Sequence, residues 1–157
     1  MDKPYYDVES YKAGRSIGYL TRRASKLLGG HMDALFAEHG MNFAQYSVLV
    51  NIREKLAVTP SEICQNICHD TGALTRLIDQ MEERGLLLRT RSETDRRRIE
   101  ISLTPKGEEM LDEMIPLVVN FWNGILSDFS TEEADLMTDM LQRFTSALSA
   151  LPKAKAA

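Results

Sequence analysis

The amino-acid sequence predicts a mainly α-helical protein with one small β-hairpin. Apolar residues recur at three- and four-residue steps in six separate segments, which is the period of helices that bury one face. Residues 99–103 instead alternate apolar and polar residues, as a half-buried strand does. The 157 residues are 43% hydrophobic and 27% charged, which is the balance of one globular domain able to bury a core.

Two helices are predicted in the N-terminal third of the chain. The first spans about residues 10–38 and has apolar positions from Ile17 to Phe36. Gly40 is expected to end it, because glycine tolerates the left-handed backbone conformation that closes helices. The second helix is expected over about 42–55.

A pair of shorter helices follows. Thr59 as N-cap, Pro60 at the first helical position and Glu62 three residues after the cap predict the start of the third helix. The fourth helix follows Asp70-Thr71-Gly72 and stops at Gly85. Its expected inward positions are Leu74, Leu77, Ile78 and Met81, and its outward positions include Gly72, Ala73, Thr75, Arg76, Asp79, Gln80 and Glu83.

These two helices indicate a helix-turn-helix. In that motif the second helix contacts base edges through its first outward turns, where small and polar residues permit close approach. Helical hairpins of the same length also occur in proteins that never meet DNA. The segment after Gly85 therefore decides between the two interpretations.

That segment predicts a hairpin with a basic tip. LLLRTRS and RRIEISL flank a short polar turn, with Ile99, Ile101 and Leu103 on the inward side of the second strand. Although the net charge of the chain is −4, seven cations face only three carboxylates between residues 84 and 106. A hairpin after a recognition helix is a wing, and arginines at its tip suit phosphates and the negative potential of a narrow minor groove.

The remaining sequence predicts two more helices. Thr104 and Pro105 begin the fifth helix, and Ser130 with Glu133 forms a capping box that begins the sixth. The apolar faces of the terminal helices have no obvious partner inside a small winged helix. Burial between two chains would cover them.

In this order, three segments resemble the MarR family of bacterial winged-helix regulators, over roughly residues 10–151. They are GMNFAQYSVLVNI, TGALTRLIDQMEERGLLLR and, most specifically, DRRRIEISLTPKG. The last is similar to the family pattern D-x-R-x-x-x-v-x-L-T-x-x-G, which Asp95, Arg97, Leu103, Thr104 and Gly107 match. The chain departs from the family at Cys64, where a small residue is usual, and in the less polar Gly72-Ala73.

The resemblance implies a homodimeric, sequence-specific DNA-binding regulator on a pseudo-palindromic operator, by family default a repressor. One domain, 1–157, is then expected, with a winged helix-turn-helix over about 42–104. Helices over about 10–38 and 105–151 would interleave as the dimerisation layer.

The same resemblance assigns expected roles by position. Gly72, Ala73, Thr75 and Arg76 of the recognition helix are expected DNA-binding residues, and the main contacts are expected from Thr75 and Arg76. Arg97 is the expected minor-groove arginine, with Arg91, Arg96 and Arg98 as further DNA-contacting arginines. Asp95 repels phosphate and is expected to orient a wing arginine through a charge-assisted bond.

Family members often release DNA when a small aromatic acid, phenol or related thioester binds between the dimer layer and the winged helix. By position, Tyr11, Arg15 and Tyr19 on the first helix and Tyr46 on the second are the expected lining, with Arg15 pairing a carboxylate. Tyrosines at this spacing are more often packing and interface residues than ligand contacts.

Other interpretations remain open at this stage. A metal- or redox-responsive regulator of the same fold would use residues among His31, Glu38, His39, Cys64, Cys68 and His69, and a helical protein-interaction module would not bind DNA at all. An enzyme is not expected, because the sequence contains no phosphate-binding glycine loop, nucleophile elbow or metalloprotease motif. Neither a cofactor nor a bound metal is expected.

The sequence predicts a cytoplasmic protein. No apolar run approaches the roughly 20 residues that a membrane-spanning helix needs. The first residues, MDKPYYDVES, lack the basic and then apolar order of a signal peptide.

Overall fold

The structure, a computed structural model, describes residues 4–67, 70–92, 95 and 98–152. The described residues form six α-helices and one antiparallel hairpin, as predicted. In chain order these are α1 (Ile17–Phe36), α2 (Phe43–Arg53), α3 (Pro60–Asn66), α4 (Thr71–Glu83), β1 (Leu87–Arg91), β2 (Ile99–Leu103), α5 (Pro105–Leu126) and α6 (Thr131–Ser149). The chain divides into two compact units, Met1–Met114 and Ile115–Ala157.

The first helix begins later than the sequence predicted. Ser16 has an extended backbone, and its hydroxyl accepts the N–H of Tyr19 at 3.2 Å, which caps α1 at Ile17. A separate 3₁₀ turn, Ala13–Arg15, precedes this cap. The prediction that Tyr11 and Arg15 lie on the first helix is therefore wrong.

Most other helix boundaries follow the predicted cap residues. Gly40 adopts the left-handed conformation, with φ of 61°, after α1 and a short 3₁₀ turn. Reciprocal capping boxes begin α3 at Thr59 and α6 at Ser130, as expected. Asn42 and Gln45 form a third box at α2.

The core of the first unit is formed by the end of α1, by α2, α3, α4 and the hairpin, and by the first part of α5. It buries the predicted inward side of α4 together with apolar residues of its neighbours. The members include Phe36, Val48, Leu49, Ile63, Leu74, Leu77, Ile78, Met81, Leu86, Leu87, Ile101, Leu111 and Met114. This core holds the outward side of α4 in contact with solvent.

The hairpin pairs Leu87 with Leu103 at its base and Arg91 with Ile99 near its tip. Ile101 is buried, and its N–H donates to the carbonyl of Val58 at 2.7 Å, which joins β2 to the segment before α3. The predicted inward position of Ile99 is wrong, because this side chain is 48% exposed. The tip of the hairpin therefore extends beyond the core that buries Ile101.

A tight corner explains the Thr104 and Gly107 positions of the family-like motif. The Thr104 hydroxyl donates to the carbonyl of Gly85 at 2.6 Å and accepts the N–H of Gly107 at 3.1 Å. A Cβ at Gly107 would overlap the carbonyl oxygen of Leu86. Only glycine lets the start of α5 approach the end of α4 this closely.

The second unit, taken by itself, contains the end of α5 and all of α6. No residue of α6 is buried. Large apolar side chains are exposed along both helices, namely Val119, Trp122, Ile125, Leu136, Met137, Met140, Leu141 and Leu148. None of the described helices is both long and apolar enough to cross a membrane.

We expect Gly107→Ala to destabilise the protein by about 1–3 kcal/mol, because the added methyl group must displace the Leu86 backbone. Gly124→Ala, in the same helix, is the control. A Cβ there meets no atom within 4 Å, so this change should stabilise the helix by about 0.5–1 kcal/mol. Urea unfolding followed by circular dichroism measures both. Equal stability of Gly107→Ala and the unmodified protein would contradict the described corner.

Candidate nucleic-acid interface

The fourth helix starts at an acidic cap that the sequence analysis treated only as part of a break. The Asp70 carboxylate accepts the N–H groups of Gly72 at 3.0 Å and Ala73 at 3.1 Å. Aspartate directly before an amphipathic segment is an N-cap signal, so this role could have been predicted. The cap fixes the first turn of α4, which carries the expected base-reading residues.

The predicted outward residues of α4 lie together on its exposed side. Gly72, Ala73, Thr75 and Arg76 are all exposed, whereas Leu74 between them is buried. Arg76 forms no ion pair with another described residue. The Thr75 hydroxyl donates to the carbonyl of Thr71 at 2.9 Å, which leaves its oxygen able to accept a further hydrogen bond. This surface is small, polar and accessible, as a major-groove contact requires.

The described hairpin arginines differ in whether they form ion pairs with other described residues. Arg91 at the end of β1 is exposed and forms no ion pair with the described residues. Arg98 is paired: its Nη2 lies 2.7 Å from Oε1 of Glu62 and its Nε lies 3.9 Å from Glu100. Arg96 and Arg97 lie outside the described residues, so their expected DNA contacts stay predictions.

A second paired arginine, Arg89, connects the hairpin to α4. Its Nη2 lies 2.5 Å from Asp79 and its Nη1 lies 2.6 Å from Glu82. We call this contact the α4 bridge, and the pair of Arg98 with Glu62 the α3 bridge. Neither bridge is predicted from the sequence, in which Arg89 is one of the seven cations between residues 84 and 106 and Arg98 is an expected DNA contact.

Glu62 combines a helix cap with the α3 bridge. Its Oε2 accepts the N–H groups of Val58 and Thr59, each at 3.1 Å, and Oε1 accepts from Arg98. The two backbone N–H groups, Val58 first, lower the pKa of the Glu62 carboxyl below its ordinary value, and the charge of Arg98 adds to this effect. Glu62 is therefore ionised at neutral pH and attracts the arginine.

The hairpin tip is closed by main-chain bonds around Asp95. The carbonyl of Asp95 accepts the N–H of Arg98 at 2.8 Å, and the N–H of Ser92 donates to the carbonyl of Arg98 at 2.9 Å. This turn determines where Arg98 leaves the tip. The charge-assisted bond expected from the Asp95 carboxylate stays a prediction.

Only two of the four expected effector residues lie together. Tyr11 and Arg15 line a cavity of about 380 Å³ with Tyr5, Tyr6, Asp7, Ser10 and Lys12. Tyr19 and Tyr46 are not among its lining residues. Tyr46 instead stacks on Phe36, with ring centroids 4.8 Å apart, and its burial raises the pKa of its hydroxyl.

The residues proposed for metal or redox sensing do not converge where they are described. No group of three or more possible ligands occurs within the described part of the chain. His39 lies 3.6 Å from Glu113, and the Cys64 sulfur lies 3.7 Å from the Thr71 hydroxyl. Cys68 and His69 lie outside the described residues.

Comparison with known proteins agrees with this arrangement. Residues 41–99 match the model of the MarR family. The HTH-type transcriptional regulator MhqR of Bacillus subtilis (strain 168) is 31% identical over 121 residues, which cover 77% of this chain and 83% of that protein. The transcriptional repressor MprA of Escherichia coli (strain K12) is 32% identical over 126 residues, covering 79% of this chain and 71% of that protein.

A solved structure supports the fold over most of the chain. CouR from Rhodococcus jostii RHA1, determined with bound p-coumaroyl-CoA, is similar with a TM-score of 0.75 and 26% identity, covering 86% of this chain and 95% of that chain. Together with the family match and the relatives above 30% identity, this shows that the chain belongs to the MarR family of DNA-binding transcriptional regulators, which are not enzymes.

Proposed function

We propose that the protein is a homodimeric repressor that binds a pseudo-palindromic operator and releases it when a small aromatic ligand binds. The observation that carries the DNA-binding part is the exposed outward side of α4 next to a basic hairpin. Arg76 and Arg91 are exposed and not ion-paired within the described residues, so their guanidinium groups are available for phosphate. The name of the relative MprA supports repression.

The proposed dimer rests on the apolar side chains that a single chain leaves exposed. In the first unit, Ile17, Leu20 and Leu27 of α1 are about half exposed. In the second unit, no residue of α6 is buried. Apolar surface on this scale marks an interaction site. We infer that residues about 10–38 and 105–151 form the dimerisation layer of one domain, 1–157, and that about 42–104 forms the DNA-binding part.

The proposed effector site is the cavity beside the start of α1. Its rings form an edge-to-face cluster, with centroids 4.8 Å apart for Tyr5 and Tyr6 and 5.2 Å for Tyr6 and Tyr11. Lys12 and Arg15 supply two cations against the single carboxylate of Asp7. Such a cavity suits an aromatic ring that carries an anionic group, and the p-coumaroyl thioester bound by CouR supports this ligand class.

The cavity is directly connected to α1. The Tyr6 hydroxyl accepts the N–H of Ile17, the first residue of α1, at 2.8 Å. A ligand that moves Tyr6 therefore acts on the first turn of a helix in the proposed dimer layer. Such a ligand shifts DNA affinity only if it binds the DNA-free form more tightly than the DNA-bound form.

The DNA-binding proposal is tested by selecting bound duplexes from a random library. We expect enrichment of a pseudo-palindrome, and weaker enrichment for Arg97→Ala. On the selected duplex, Arg76→Ala and Arg91→Ala should each reduce the slope of log affinity against log salt by about 0.9, the value for one lost phosphate contact. Arg143→Ala, which removes one cation from α6, is the matched control and should leave the slope unchanged. No enrichment at low salt would contradict the proposal.

The effector proposal is tested by titration calorimetry with p-coumarate and its coenzyme A thioester. Arg15→Gln should weaken binding of the active ligand about tenfold, because it removes one charge-assisted contact. Tyr19→Phe is the control, since Tyr19 does not line the cavity. Cyclohexanecarboxylate, an anion without an aromatic ring, and benzamide, a ring without charge, should not bind. Equal binding by Arg15→Gln would place the effector elsewhere.

A further inference from the structure

Three carboxylates of the helix-turn-helix form ion pairs with two arginines of the wing. The α3 bridge attaches Arg98, directly before β2, to Glu62. The α4 bridge attaches Arg89 in β1 to Asp79 and Glu82. The two strands of the hairpin are thus each attached to a different helix, which restricts both the tilt and the rotation of the wing.

We propose that Glu62 is a positioning residue for operator recognition, which acts by holding the wing through Arg98 at a fixed place relative to α4. This inference rests on the proposed function, since it concerns how the same surface fits a duplex. It gives Arg98 a different role from the phosphate contact expected from the sequence. The α4 bridge performs the corresponding function for β1.

Electrostatics favours this role over an incidental surface pair. A carboxylate beside DNA repels phosphates, so an unpaired Glu62 would weaken binding. Here the carboxylate accepts two backbone N–H groups and a guanidinium, which offset its charge. Arg98 in turn directs its Nη2 to Glu62 at 2.7 Å, and its Nε lies 3.9 Å from Glu100, so its charge is already paired within the protein.

The expected effect is on wing placement rather than on folding. The side chains of Arg98 and Glu62 are 45% and 43% exposed, and ion pairs this exposed contribute little to folding stability. Contacts in a major groove and in the adjacent minor groove, however, must be positioned to within about 0.5 Å to act together. Loss of the α3 bridge should therefore reduce operator affinity while the protein stays folded.

Glu62→Gln separates the bridge from the helix cap. Glutamine also serves at the third position of a capping box, as Gln45 does at α2 in this chain. When the glutamine oxygen accepts the N–H groups of Val58 and Thr59, its NH₂ group faces the N–H donors of Arg98. Two donors cannot form a hydrogen bond with each other. The bridge is lost while the cap is kept.

The test compares operator and random-duplex affinity for Glu62→Gln and for Glu83→Gln. Both variants remove one negative charge, and Glu83 is exposed on α4 without an ion pair among the described residues. Charge alone predicts equal or tighter binding for both variants. The positioning role predicts that Glu62→Gln loses about tenfold in operator affinity, with no loss on random duplexes, and that Glu83→Gln loses nothing. Unchanged operator affinity of Glu62→Gln would overturn the inference.

A double-mutant cycle with Arg98→Gln distinguishes positioning from phosphate contact. If the bridge is what matters, the double variant loses no more than either single variant, and the salt slope stays unchanged. An additive loss, with a slope reduced by about 0.9 in Arg98→Gln, would show a phosphate contact and overturn the inference.

Arg98→Gln removes the α3 bridge from the side of the wing and serves as the independent variant if Glu62→Gln fails to fold. It should lose about tenfold in operator affinity with an unchanged salt slope, and normal operator affinity would overturn the inference. Circular dichroism confirms folding of each variant before titration. If the unmodified protein shows no operator preference, the proposed function itself fails, which this design separates from failure of the positioning role.

Discussion

Charge pairing between hairpin arginines and helix carboxylates is the interaction on which the proposed placement of the wing relative to α4 depends. Hydrogen bonds inside the hairpin fix its register, and the bond from Ile101 to Val58 fixes its base. Ile99, near the tip, is about half exposed, so hydrophobic burial does not hold the tip of the hairpin in place. The bridge made by Arg98 lies beside the exposed Ile99, beyond the hydrophobic packing. Arg89 lies opposite the buried Ile101 and attaches the middle of the hairpin to α4.

The rest of the proposed DNA surface follows from the same arrangement. The acidic cap at Asp70 and the buried side of α4 hold the outward residues of its first turns in solvent. The corner at Thr104 and Gly107 holds the start of α5 against the end of α4. Arg89 and Arg98 are ion-paired within this surface, whereas Arg76 and Arg91 form no ion pair with another described residue. The number of basic residues in the hairpin therefore does not by itself show which arginines are proposed to contact phosphate.

Local signals made the fold predictable, and long-range contacts made parts of the site unpredictable. Helix ends are set by contacts within a few residues of the chain, so neighbouring residues are sufficient to predict them. Examples are the capping boxes of Thr59 with Glu62 and of Ser130 with Glu133, and the left-handed Gly40. The start of α1 was predicted too early because Ser16 and the distant Tyr6 hydroxyl, not apolar spacing, determine it. The partner of Arg98 lies 36 residues away, and no local pattern identifies it. Tyr11 and Arg15 share a cavity, but Tyr46 packs on Phe36 instead.

A crystal structure of the protein on its selected operator would show directly whether the wing is held by the α3 bridge. We expect two chains on one pseudo-palindrome, with each α4 in a major groove and with Arg76 and Arg91 at phosphates. Arg98 should remain within hydrogen-bond distance of Glu62. An α4 outside the groove would contradict the proposed DNA surface, and Arg98 on a phosphate with Glu62 released would contradict the holding of the wing.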